Sequence, residues 1–136
     1  MIVVDANVLL ASVLRDTEAG HRYAAQLAAA GAAGEPLAAP AVLPAEVSYV
    51  LLKQGRRNRW GEAKTAENAE IVDLFRVELF MIEQSVAAQV RFATRHNVQG
   101  FDALYLALAM SLGARLATLD GGLRSAARAA GVELSS

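Results

Sequence analysis

Four acidic residues stand among apolar neighbours: Asp5 after Ile-Val-Val, Glu46 in VLPAEVSYVLL, Asp102 in FDALYLALA and Asp120 after LATL. The other ten of the 14 Asp and Glu residues mostly occupy polar helix faces or loops. Burying an unpaired carboxylate costs several kcal/mol, so four such placements ask for a shared cause. Converging carboxylates repel one another and become stable when a divalent cation sits among them. Oxygen donors with no Cys or His favour a hard ion, Mg²⁺ or Mn²⁺, over zinc. Such a cluster suits phosphoryl transfer, in which one or two ions activate water and offset charge on a scissile phosphate. Each acid also has a plainer reading. Asp102 could be an ordinary first-turn acid, Asp5 a helix cap, and Asp120 with Gly121 and Gly122 a simple turn. Glu46 lacks a visible partner, although Lys53 or an arginine could supply one. All four plain readings holding together is the weaker account.

The elements that must position these acids alternate between strand and helix. Ile2–Val4 reads as a strand passing at once into a helix over Asn7–Leu14, and a second helix runs from Thr17 or Glu18 to about Ala33. Leu37–Ala39 is a strand between prolines, followed by an apolar helix over Val42–Gln54 with Gly55 as its stop and GRRNRW, 55–60, as a basic turn. A polar helix over Gly61–Phe75 carries Ile71, Leu74 and Phe75 as its apolar stripe. Val77–Ile82 is a strand, Ser85–His96 and Asp102–Leu112 are helices, Arg115–Thr118 a strand, Gly122–Ala130 a helix and Val132–Leu134 a last strand. This alternation implies a parallel sheet covered on both faces, because parallel neighbours need crossover connections. Asp5 and Asp120 then fall at the carboxyl ends of strands, Asp102 at a helix start, and Glu46 in the first turns of a helix after a strand. In an open parallel sheet all four face the crevice where ligands bind.

Composition limits the alternatives. A chain of 136 residues, 54% of them hydrophobic, is one domain (1–136), large enough for its own core without disulfides. With no cysteine there is neither a thiol nucleophile nor a Cys-ligated metal, and a reducing cytoplasm is the compartment expected. No apolar run approaches the roughly 20 residues that span a bilayer, and Asp5 interrupts the N-terminal apolar run too early for a secretory signal. A net charge of -1 argues against binding nucleic acid through bulk charge. It mixes two populations, however, since without the four clustered acids 13 basic residues face 10 acidic ones, a formal +3.

In order and spacing, these motifs resemble a known family, the PIN-domain ribonucleases of the VapC toxin type. IVVDANVLL is similar to the family's opening strand and acid, PAVLPAEVSYVL to its second acid, GFDALYLALA to its third, and LATLDGGL to its Thr-x-Asp strand end. The resemblance runs from Met1 to Leu134 and implies a three-layer α/β/α sandwich around a parallel sheet of about five strands. It implies that Asp5, Glu46, Asp102 and Asp120 are catalytic and metal-binding, with Asn7 and Thr118 as polar helpers that orient carboxylates or the attacking water. It further implies Mg²⁺ or Mn²⁺ as cofactor, RNA as substrate, a homodimer, and an antitoxin that fills an apolar groove and places a basic side chain near the acids. Ala6 departs from the pattern, since many relatives carry Thr or Ser there. Gly121 and Gly122 replace a charged residue often found after the last acid.

Lys53, Arg56, Arg57, Arg59 and Trp60 concentrate positive charge beside an aromatic, a suitable contact for single-stranded RNA; the plain alternative is a solvated turn with Trp60 as a packed plug. Arg91, Arg95 and His96 form a second basic face with a solvated role, and His21 reads as a surface residue. Tyr23, Leu27, Tyr49 and Leu52 fit either core or interface. The reading is therefore a metal-dependent endoribonuclease, the toxin of a toxin–antitoxin pair. A phosphorelay receiver would need paired acids after the first strand, a phospho-acceptor Asp after the third and a Lys after the fifth. Here Asp5 stands alone, Ile82 leads to Glu83, and no Lys follows Lys64. A haloacid-dehalogenase-like phosphatase would need Asp where Asn7 stands. A PIN-like RNA-binding module without activity is the remaining alternative, which the four retained acids oppose.

Overall fold

The computed structural model describes residues 1–135. In chain order the elements are β1 (Ile2–Val4), α1 (Ala6–Leu14), α2 (Glu18–Ala32), β2 (Leu37–Pro40), α3 (Leu43–Asn58), α4 (Gly61–Asp73), β3 (Glu78–Phe80), α5 (Val86–His96), α6 (Asp102–Leu112), β4 (Arg115–Ala117) and α7 (Gly121–Ala129). The four strands form one parallel sheet in the order β3-β2-β1-β4. Central β1 is wholly buried, as a β-branched run covered on both faces should be.

Right-handed crossovers fix where the helices go. The β1-to-β2 and β2-to-β3 connections step in one direction and place α1–α4 on one face, where α1 packs on α2, α3 and α4. The return from β3 to β4 reverses direction and places α5 and α6 on the other face, with α6 against β1, β2 and β4, and α7 beside it. The result is the α/β/α layering expected from sequence. Because connections leave β1 toward β2 and leave β4 the opposite way, the sheet's topological switch lies between the carboxyl ends of β1 and β4, the position where such sheets bind ligands.

Several local expectations change. Instead of a turn over 55–60, α3 continues to Asn58 and ends with Arg59 in the left-handed region at φ 53°. Gly55 therefore does not stop the helix. It is buried where α4 crosses, and a Cβ there would meet Thr65 Oγ1 at 2.6 Å. Gly20 does the same for the α1–α2 pair, since a Cβ would run into the main-chain oxygen of Ala11. Of the expected stripe of Ile71, Leu74 and Phe75 only Phe75 packs on the core: α4 ends at Asp73, Ile71 is exposed and Leu74 is 75% exposed, because α4 rests on α3 and α1. Val132–Leu134 contributes a single bridge, Leu134 to Leu116, carried by Leu116 N–H donating to Glu133 O and Ser135 N–H to Leu116 O. Two hydrogen bonds are too short a ladder for a full fifth strand. Tyr23 and Leu27 belong to the core, whereas Tyr49 and Leu52 are exposed. No helix is long and apolar enough to cross a membrane among the described residues.

Candidate active site

Asp5, Glu46, Asp102 and Asp120 line one cavity of about 500 Å³ at the switch point, together with Asn7, Leu10, Val42, Tyr49, Val50 and Phe101. Four elements deliver them. Asp5 follows β1 and is 5% exposed. Glu46 lies in the first turn of α3 and Asp102 in that of α6, both half-buried. Asp120 follows β4 and caps α7, its Oδ2 accepting from Leu123 N–H at 2.7 Å. A larger cavity, about 640 Å³, lies between α3 and α4, but its lining is mostly apolar and it holds none of these acids.

Hydrogen bonds pin three of the carboxylates by one oxygen each. Thr118 donates its hydroxyl to Asp5 Oδ2 at 2.7 Å, and the same hydroxyl accepts from Asp120 N–H at 3.1 Å. One side chain thus ties the two strand-end acids together. Tyr105, wholly buried, donates to Glu46 Oε1 at 2.8 Å. Asn7 takes a different part from the one expected: its Oδ1 accepts from Leu119 N–H at 3.1 Å, so it holds the segment bearing Asp120 and does not itself touch a carboxylate.

Electrostatically the cluster is under tension. Burial raises the Asp5 carboxyl above its ordinary range, the Thr118 hydroxyl opposes the rise, and Glu46 and Asp120 add to it. Glu46 is raised by burial and by Asp102, against the Tyr105 hydrogen bond. Asp102 is pushed from 3.8 to about 6 by burial and by the charges of Asp5 and Asp120. Burial and the neighbouring Glu46 keep the Tyr105 phenol protonated as a fixed donor. Among the described residues, no Lys, Arg or His lines the cavity.

The donor set suits a hard divalent cation. It is oxygen only, it carries several negative charges with no Lys, Arg or His in the cavity lining, and Glu46 and Asp120 each keep one oxygen free of protein donors. The carboxylates stand apart: among the described residues no group of three acids or histidines is drawn together tightly enough to enclose an ion.

The basic segment lies elsewhere. Arg56, Arg57 and Arg59 are exposed ten to thirteen residues beyond Glu46, about 15–20 Å along the same helix. Trp60 is half-buried against the core, with Lys64 Nζ 5.5 Å from its ring centroid. Sequence reasoning passed over Tyr105 at the site. Its place three residues after Asp102, on the same face of α6, was the available signal.

Comparison with known proteins bears on the fold and the family. The crystal structure of PAE2754 from Pyrobaculum aerophilum shares the fold at a TM-score of 0.67 and 23% identity, over 92% of this chain and 83% of that one. No curated protein matches. The PIN domain family model matches residues 2–129, nearly the whole chain. The chain therefore belongs to the PIN domain family, whose members are typically metal-dependent nucleases that bind RNA.

Proposed function

We propose that this protein is a metal-dependent endoribonuclease that hydrolyses RNA phosphodiester bonds at the Asp5, Glu46, Asp102 and Asp120 cluster with Mg²⁺ or Mn²⁺. The observation that carries the reading is the convergence of these four acids, from four separate elements, on one cavity without a cation in its lining. The carboxylates of Asp5, Glu46, Asp102 and Asp120 would hold the metal. When bound, it supplies Lewis-acid activation of water and offsets charge developing on the scissile phosphate. The chain's own part is orientation: Thr118 holds Asp5 and the Asp120 backbone, Tyr105 holds Glu46, and Asn7 holds the Leu119 amide.

Arg56, Arg57 and Arg59, too far along α3 to meet the scissile phosphate, would contact flanking phosphates of the same RNA, with Trp60 bracing their segment and its exposed edge within reach of a base. The biological role we assign is that of a single-domain, cytoplasmic toxin that forms a homodimer and is held in check by an antitoxin. The apolar groove lined by Leu51, Leu52, Ala66 and Ala69 between α3 and α4, rimmed by Arg56 and Arg59, supports a protein partner. The test is cleavage of a defined RNA pool by the purified chain. Cleavage should appear with Mg²⁺ or Mn²⁺, stop with EDTA, and vanish in a folded Asp5→Asn variant. Undiminished cleavage by that variant would remove the site assignment.

A further inference from the structure

Of the chain's eight aromatic residues, six are buried or half-buried and two are exposed. The exposed two are Tyr49, at 65%, and Phe101, at 54%. Both line the cavity that holds the four acids. Tyr49 follows Glu46 by three residues and so stands one turn along the same face of α3. Phe101 directly precedes Asp102, at the cap position of α6. Two rings on two different helices thus flank two of the acids, and neither is needed by the core. Lys53 places its Nζ 6.0 Å from the Tyr49 ring centroid, adding a positive charge beside one ring.

We propose that Tyr49 and Phe101 are a base-stacking rim, which takes unpaired nucleobases on either side of the phosphate presented to the acids, with Lys53 meeting the adjoining backbone. The inference rests on the ribonuclease reading and deepens it. Water is a poor neighbour for an exposed ring, and a nucleobase is a good one: every base has a π face, so stacking tolerates any sequence, and an aromatic removed from such a platform typically costs a substantial factor in affinity. A duplex keeps its bases stacked on each other and offers no free face. The rim therefore selects single-stranded segments, and it supplies substrate grip that the acid cluster, which repels phosphate, does not.

The test compares full-length wild type with Tyr49→Ala, Phe101→Ala, Tyr49→Phe and Phe101→Tyr. Fluorescence anisotropy with a fluorophore-labelled, mixed-sequence single-stranded RNA in calcium buffer reads affinity, with electrophoresis verifying that the RNA stays intact. Each alanine variant should bind about fivefold to about 150-fold more weakly. The aromatic replacements should bind as wild type does, and a duplex of the same sequence should not distinguish the proteins. In magnesium the alanine variants should show the loss mainly in KM, with melting temperatures unchanged because both rings are exposed. Alanine variants that bind the single strand as tightly as wild type overturn the rim, while wild-type cleavage leaves the nuclease reading standing. Altered self-association with unchanged RNA affinity makes the rim a protein contact and also overturns the inference. Absence of metal-dependent cleavage by wild type removes the nuclease reading itself, and the rim with it.

Discussion

Replacing Asp102 by asparagine removes one charge from the cluster while nearly preserving shape, and it should stabilise the metal-free protein. Burial and the charges of Asp5 and Asp120 carry the Asp102 carboxyl from 3.8 to about 6. Converted directly, that is at most about 3 kcal/mol held against the ionised native state. Asp102 is half-exposed, so solvent screening reduces the figure to about 1 kcal/mol. Between 3.8 and about 6 the native protein keeps a proton that the unfolded chain releases, so metal-free stability falls as pH rises through this window. With an unfolding entropy of about 0.3 kcal/mol/K for a chain of this size, Asp102→Asn should raise the melting temperature by about 3–4 °C at pH 7.5 and by under about 1 °C at pH 4. Scanning calorimetry in EDTA at both pH values measures this. Added Mn²⁺ should reverse the order, since only wild type gains fully from binding. A variant that melts lower than wild type at pH 7.5, or gains equally at both pH values, would refute the argument that the acids repel one another.

Other perturbations separate orientation from packing. Tyr105→Phe strips Glu46 of its donor, and calorimetric titration should show Mn²⁺ affinity falling about tenfold or more, with a stability loss of about 1 kcal/mol. Thr118→Val removes the hydroxyl shared by Asp5 and the Asp120 amide; metal affinity and kcat should fall about 10- to 100-fold, and Thr118→Ser should recover both. Gly20→Ala drives a methyl into the Ala11 carbonyl of the neighbouring helix and should cost about 1–3 kcal/mol in urea denaturation, without changing metal affinity per folded molecule.

How far the sequence could be read depended on the range of the interactions involved. The layered parallel sheet and the placement of the acids at element ends followed from local signals: a β-branched run ending at Asp5, Ser85 capping α5, Gly113 closing α6. What escaped was set by contacts between elements distant in sequence. Gly55 resembles a helix stop until Thr65 is seen packed against it. Leu74 fits an apolar stripe, but α4 lies on other helices and leaves it in water. Tyr105 passes for core within FDALYLALA, and its hydroxyl meets Glu46, 59 residues away in sequence, only because α6 and α3 start from opposite faces at the same edge of the sheet. Asn7 was expected to orient carboxylates or the attacking water; the partner it holds in the structure, the Leu119 amide, is 112 residues away in sequence. Tyr49, beside Val47, Val50 and Leu51, carries no sequence signal of exposure, since a core ring would fit there equally well.

The central claim is that Asp5, Glu46, Asp102 and Asp120 together hold a divalent cation. Electron paramagnetic resonance of free Mn²⁺, titrated with the purified, metal-stripped protein, tests it without relying on any substrate. Wild type should deplete the free-ion signal, Mg²⁺ should compete, and Asp5→Asn, Glu46→Gln, Asp102→Asn and Asp120→Asn should each weaken the depletion while remaining folded. A wild-type protein that leaves the signal untouched, or four variants that bind Mn²⁺ as wild type does, would contradict it.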